Sequence, residues 1–305
     1  MYKLIRQCRD NESLRQSFNR LAERTFGLSF ETWHQMGYWS DCYIPYSFVY
    51  DGEIIANVSV NRMMHWWDGR MRPLIQLGTV MTDESFRRQG LIRSLMEEIE
   101  RDFQGKAEGV YLFANDSVLD FYPKFGFRRA EEYCYERLIT KDSEGRKREE
   151  ENGGKAGDFD ASDVCRVDLD NETERKALEK AIEENTFLCP LSFGGNLGLY
   201  MFYLSDFMKE NVYYIPKLDA YAVAEIQGAT LFLQGVLSRR SVSLEEAEAA
   251  FANGIDKIVL GFVPDDRSRY VCREHKEEDT TLFVKGSIFD GFEEKRLRFP
   301  VLGHA

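Results

Sequence analysis

The sequence predicts an α+β protein of two lobes, each a mostly antiparallel sheet flanked by helices. Three observations carry this expectation. The chain has 305 residues, about twice the usual ~150 of one domain. Residues 44–82 hold two Asp-Gly pairs between runs rich in β-formers, a hairpin signal. Residues 140–161 carry almost no large apolar side chains, and the order of elements on either side of them is loosely alike.

The first lobe opens with an alternating stretch, residues 2–8, which reads as a strand. Asn11 is a fitting cap for a helix over 11–26, whose Leu14, Phe18, Leu21 and Ala22 share one face. A short helix is expected near 29–37. IPYSFVY, EIIANVSVNRMMHWW and RMRPLIQLGTVM follow, separated by Asp51-Gly52 and Asp68-Gly69. They read as a three-stranded meander. A helix beginning near residue 88 buries Leu91, Ile92, Leu95, Met96 and Ile99. A strand over 110–114, a short helix from Ser117 to Phe125 and a strand over 127–139 complete the lobe.

The run at 140–161 cannot bury enough surface to order itself and reads as a linker or exposed loop. The expected domains are therefore 1–140 and 162–305, joined by 141–161. Beyond the linker come a strand, VCRVDL, and a helix, NETERKALEKAIEEN. The uncharged run from Asn185 to Ser205 has the length of a membrane span, but Pro190, Gly194, Gly195 and Gly198 interrupt it. A buried loop leading into a core helix is the expectation. Strands near 212–215, 220–226 and 229–237, a helix begun by a Ser243/Glu246 capping box, and a strand, DKIVLGFV, follow.

The formal net charge is −12, which disfavours nucleic acid as a partner, because phosphate binding needs a concentrated basic surface. The six cysteines form no CxxC pair and the four histidines are scattered, so no metal site is expected. The start of the chain is charged too early for a signal peptide. Together these point to a cytoplasmic, non-membrane protein with reduced cysteines.

The chemistry-bearing stretch is TDESFRRQGLIRSLMEEIE, residues 82–100. A strand, a glycine-containing loop and a helix form a general anion-binding device, because the first amides of the helix lack intrahelical partners. Gly90 permits close backbone approach, and Arg87, Arg88 and Arg93 can add charge-assisted contacts. A capped helix with a solvated basic start is the competing reading of this segment alone.

A second pattern follows in the right order. Arg87-Arg88-Gln89-Gly90-Leu91-Ile92 precedes Asn115-x-x-Val118-x-x-Phe121-Tyr122-x-x-x-Gly126-Phe127. Together the two patterns resemble those of the GNAT superfamily of acyl-CoA-dependent N-acyltransferases, over residues 1–140. Ile92 departs from the small residue usual in the loop. The resemblance implies a tandem protein of two GNAT-like domains, the second degenerate, with acetyl-CoA as cosubstrate and a small amine, amino acid or peptide as acceptor. It implies that Val80, Met81 and Thr82 bind the pantetheine arm as an added strand would. It implies that the amides of Arg88, Gln89, Gly90, Leu91, Ile92 and Arg93, with Arg87, hold the pyrophosphate. Asn115 would fix the arm, Tyr122 would protonate the leaving thiolate, and a strand amide would stabilise the oxyanion.

The strand before the loop offers Gln76 and no carboxylate, so no general base is named. Arg239 and Arg240 precede the second lobe's helix without a following glycine, and the capping box there would occupy the amides a phosphate needs. Only the first domain is therefore expected to bind CoA. Trp33, Tyr38, Trp39, Trp66 and Trp67 are candidates to line an acceptor cleft between the lobes. The tail, RFPVLGHA, reads as a final docked strand, with His304 or Ala305 as the alternative base. A sensor of acyl-CoA without turnover and a two-lobed interaction protein are the rival functions.

Overall fold

The computed structural model describes residues 2–139, 163–186 and 189–304. The expected linker, 141–161, and Ala305 lie outside them. The first half of the chain forms β1 (Lys3–Arg6), α1 (Glu12–Phe26), α2 (Glu31–Gln35), β2 (Tyr43–Tyr50), β3 (Glu53–Trp67), β4 (Arg70–Thr82), α3 (Leu91–Phe103), β5 (Gly109–Ala114), β6 (Arg128–Arg129) and β7 (Glu132–Leu138). The second half forms β8 (Cys165–Arg166), α4 (Glu172–Glu183), β9 (Leu191–Gly194), α5 (Leu197–Phe202), β10 (Val212–Ile215), β11 (Ala220–Gln227), β12 (Thr230–Ser238), α6 (Leu244–Ala249), β13 (Lys257–Leu260), β14 (Val271–His275) and β15 (Thr281–Lys285).

Local chemistry sets these boundaries. The Asn11 side chain accepts the Leu14 amide at the start of α1, and Gly27 ends it at φ +70°. Asp51-Gly52 and Asp68-Gly69 all have positive φ, the geometry of a hairpin turn whose twist matches its strands. The α1 residues Phe18, Leu21 and Ala22 are buried, as their spacing predicts.

Two mixed sheets result, flanked by helices. The first has the order β1-β2-β3-β4-β5-β15-β6, with β9 also on β3; the second has β14-β7-β13-β12-β11-β10-β8. Most pairs are antiparallel, but β4 with β5 and β12 with β13 are parallel. The halves exchange a strand. β15 inserts between β5 and β6, and β7 inserts between β13 and β14. Leu91, Leu95, Met96 and Ile99 of α3 bury one face of the first sheet. On the other face, Phe18, Trp33, Met63 and Tyr111 share a core with residues of the second half.

Several expectations change. The segment 127–139 is not one strand: it breaks after Arg129 so that Glu132–Leu138 can cross to the second sheet. The helix expected over 117–125 is two 3-10 turns, Asp116–Val118 and Tyr122–Phe125. Pro123 in the second turn lacks the amide that a longer helix would use. Part of the uncharged run is an edge strand, β9, on β3. Ser243 caps α6 with its backbone only, and the capping box does not form. The tail is not a strand but a 3-10 turn, Val301–Gly303. Among the described residues no helix is long and apolar enough to cross a membrane.

Candidate active site

β4 and β5 pair in parallel from Leu74 and Gly109 to Leu77 and Leu112. Beyond that point they diverge, although β4 continues to Thr82 and β5 to Ala114. The edge of β4 from Gly78 to Thr82 that faces β5 thus carries backbone groups without a strand partner. A bulge helps to open this V. Thr79 and Val80 stand opposite Val58 alone, because Gly78 pairs with Ser59 and Met81 with Asn57. Thr79 has φ +47°, a strained state for a β-branched residue. Side chains hold it there: Asn57 Nδ2 donates to the Thr79 carbonyl at 2.8 Å, and the Tyr43 and Thr79 hydroxyls lie 2.7 Å apart.

At the mouth of the V, α3 begins at Leu91, not near residue 88, with Gly90 at φ +78° as its cap and no side chain capping it. Arg88 also has positive φ, +63°. The first helical bond of this terminus runs from the Ser94 amide to the Gly90 carbonyl. Among the described residues the six amides from Arg88 to Arg93 have no hydrogen-bond partner. Such a row of free donors at a helix N-terminus, where the dipole is positive, is suited to a phosphate group. A Cβ on Gly90 would meet nothing within 4 Å, so the space in front of it is open.

A cleft of about 770 Å³ occupies the V and extends toward the second half. Of the expected cofactor-binding residues, Val80, Met81, Thr82, Arg87, Ile92 and Asn115 line it, as does Tyr122. Arg88, Gln89, Gly90, Leu91 and Arg93 lie beside it, at the loop and the helix start. The Leu91 side chain is buried under α3, so its amide is what the loop offers. Gln89 Oε1 accepts the Tyr2 hydroxyl at 2.7 Å, and the Arg93 guanidinium sits over the Phe125 ring. Asn115 Nδ2 donates to Asp279 at 3.2 Å, so the second half steadies this loop.

Tyr122 is buried, and burial pushes its hydroxyl up to about 12. The hydroxyl therefore stays protonated through the neutral range and can donate a proton. Ile92 lines the cleft without closing it. Gln76 faces away from this chemistry: it is fully buried and accepts the Tyr111 hydroxyl, which also bonds His65 Nε2 at 3.0 Å. Among the described residues that line the cleft, none is a carboxylate or a histidine. His304 stacks on the cleft residue Phe113 at 3.8 Å. Burial pushes it down to about 3, which leaves the ring neutral and a poor base near pH 7.

Of the candidate acceptor aromatics only Trp33 reaches the cleft. Trp39 and Trp67 are buried in the core, and the Tyr38 hydroxyl bonds Glu179. Sequence reasoning missed Phe30, Asn61, Leu199, Phe202 and Tyr203. For the last three a signal existed: they recur at i, i+3 and i+4, one face of a helix.

The second sheet has a matching V, and it is filled. β12 and β13 pair in parallel up to Leu233 and Leu260. Past them the Val301 amide donates to the Gly261 carbonyl at 3.0 Å. Pro300 and Leu302 take the space beside Gly235, leaving a void of only about 40 Å³.

Comparison with known proteins agrees with this geometry. Residues 6–127 match the acetyltransferase (GNAT) family. A probable N-acyltransferase from Enterococcus faecalis superposes with a TM-score of 0.58 at 14% identity, over 93% of this chain and 72% of its own. Eis1 from Mycobacterium abscessus gives 0.54 at 15% identity, over 92% and 73%. A GCN5-related N-acetyltransferase from Kribbella flavida gives 0.52 at 15%, over 93% and 70%. These likenesses concern the fold. No curated protein matches the chain. The splayed strands and the open loop before α3 lie within residues 6–127, the part of the chain that matches the acetyltransferase (GNAT) family.

Proposed function

We propose that the protein is an N-acyltransferase that takes acetyl-CoA as donor and an amine as acceptor, with a single donor site between β4 and β5. The observation that carries this reading is the row of six unpartnered amides, Arg88 to Arg93, at the mouth of a strand pair open past Leu77.

In this reading the loop amides and Arg87 hold the pyrophosphate. The free edge at Val80, Met81 and Thr82 binds the pantetheine amides as a neighbouring strand would, and Asn115 fixes the arm from the β5 side. The acceptor nitrogen bonds the acetyl carbon, and the carbon–sulfur bond breaks with its electron pair on sulfur. Tyr122 gives its proton to that sulfur, and the proton lost by nitrogen passes to water, from which Tyr122 is reprotonated. Alignment of the two reactants in a confined cleft supplies much of the rate. The filled second V supports one donor site per chain and a degenerate second domain.

One observation favours a second reading, a sensor of acyl-CoA without turnover: the cleft's described lining has no carboxylate or histidine to take the amine's proton. Thiol release from acetyl-CoA separates the two. Amine-dependent release that Tyr122→Phe reduces supports the enzyme; binding of acetyl-CoA without release on a broad amine panel supports the sensor.

A further inference from the structure

We propose that the acceptor carries its amine on a flat aromatic body, which the cleft holds against Phe30, Trp33 and Phe202 while Asn61 takes the amine. The inference rests on the acyltransferase reading above and names its acceptor class.

Three elements bring the walls together. Phe30 precedes α2, Trp33 lies on it, and Phe202 ends α5 of the second half. The Phe30 and Phe202 rings are nearly parallel, 20° apart with centroids at 5.5 Å. Trp33 meets Phe202 edge-on, at 81° and 5.8 Å. Phe30 is itself stacked between Phe202 and Tyr43. These rings therefore offer the cleft their edges and the half-buried Phe202, and a planar π system gains edge and offset contacts there that an alkyl chain cannot make.

The charge inventory points the same way. Among the described lining residues Arg87 is the sole ionic side chain; it lies at the loop end and is 3.4 Å from Glu84. A polyamine would find no carboxylate on these walls, and an amino acid's carboxylate would find its cation only where the pyrophosphate belongs.

Asn61 supplies the polar point. It is 3% exposed, lies on β3 and lines the cleft. Its neighbours Tyr43 and Ser59 are bonded to one another and Tyr43 to Thr79. The Asn61 carboxamide has no hydrogen-bond partner among the described residues, and both of its functions are free. Neither amide atom is among the buried orphans of the described residues, so the carboxamide opens to the cleft, and a ligand N–H can donate to its oxygen there.

The test measures thiol release at saturating acetyl-CoA with amines of matched size: phenethylamine and tryptamine against hexylamine, spermidine and lysine. The arylalkylamines are expected to exceed hexylamine about tenfold in kcat/KM, and spermidine and lysine by more. Phe202→Leu is expected to raise the KM for tryptamine about tenfold while leaving the KM for acetyl-CoA within twofold, and Phe202→Tyr to restore it. Asn61→Ala is expected to raise the amine KM as well. Calorimetry of tryptamine and spermidine into CoA-saturated protein reads acceptor binding without turnover. If no amine releases thiol, the acyltransferase reading fails, while tryptamine binding lost in Phe202→Leu still supports the aromatic pocket. The inference is overturned if spermidine equals tryptamine in both assays, or if lysine or hexylamine equals the arylalkylamines in thiol release. It is also overturned if Phe202→Leu changes the preference between acetyl- and octanoyl-CoA but not the amine KM, because the walls would then hold the acyl group.

Discussion

Leu77 and Leu112 are the last residues that β4 and β5 pair across, and the open cleft begins where that pairing stops. The counterpart pair in the second sheet, Leu233 and Leu260, ends the same way, but there Pro300 and Leu302 fill the gap. One device is thus present twice and available once.

Tyr122→Phe is expected to lower kcat by about 10²- to 10⁴-fold, the usual range for a general acid, with acetyl-CoA affinity within about threefold. The wild-type hydroxyl, held up at about 12, is protonated below that value and loses its proton above it. Its titration is therefore expected to leave kcat unaffected up to about pH 10. A pH–rate profile checks this. An alkaline fall centred near pH 8 that disappears in Tyr122→Phe would contradict it.

Glu132 is buried, accepts the Phe299 amide at 2.8 Å, and is pushed up by burial to about 7. The nearby Arg298 opposes that shift. Its folded value exceeds the 4.5 of a free carboxyl. Its stabilisation is therefore complete below pH 4.5 and is lost as pH rises through 7. The change is at most about 3 kcal/mol. Glu132→Gln is expected to flatten urea stability between pH 5 and pH 8. An unchanged pH slope in the variant would reject this origin.

Arg137 on β7 joins the two halves of the chain. Its Nε donates to the fully buried Glu248 of α6 at 2.9 Å, and Tyr270 donates to the same carboxylate at 2.6 Å. Glu248→Ala leaves the guanidinium unpaired and is expected to cost about 3–5 kcal/mol. Because each sheet holds a strand from the other half, urea unfolding is expected as one transition by both far-UV and tryptophan signals. Two resolved transitions would mean that the halves are independent.

Much of this was legible in the sequence. The Asp-Gly turns, the Asn11 cap and the buried stripe of α3 are local chemistry, and each appears where the residues put it. The open loop before α3 was legible because glycine, arginine and helix periodicity coincide within a few residues. The exchange of β7 and β15 was not, because strand partners far apart in sequence leave no local trace. FRRAEEYCYERLI reads as one strand although its two ends serve different sheets. The aromatic walls were missed in part for the same reason: Phe30 and Phe202 are neighbours only after the halves pack. Ser243 and Glu246 have the spacing of a capping box, but the bond is not made in the six-residue α6.

The central claim is that the loop before α3 holds an acyl-CoA and that the second half does not. Calorimetric titration of acetyl-CoA into wild type and Gly90→Trp tests it most directly. Gly90 is at φ +78° with open space before it, so the variant carries about 1–2 kcal/mol of backbone strain and places an indole where the pyrophosphate would lie. The account predicts one site per chain in the wild type, lost in a variant that still unfolds cooperatively. Two sites per chain, or equal affinity in Gly90→Trp, would contradict it.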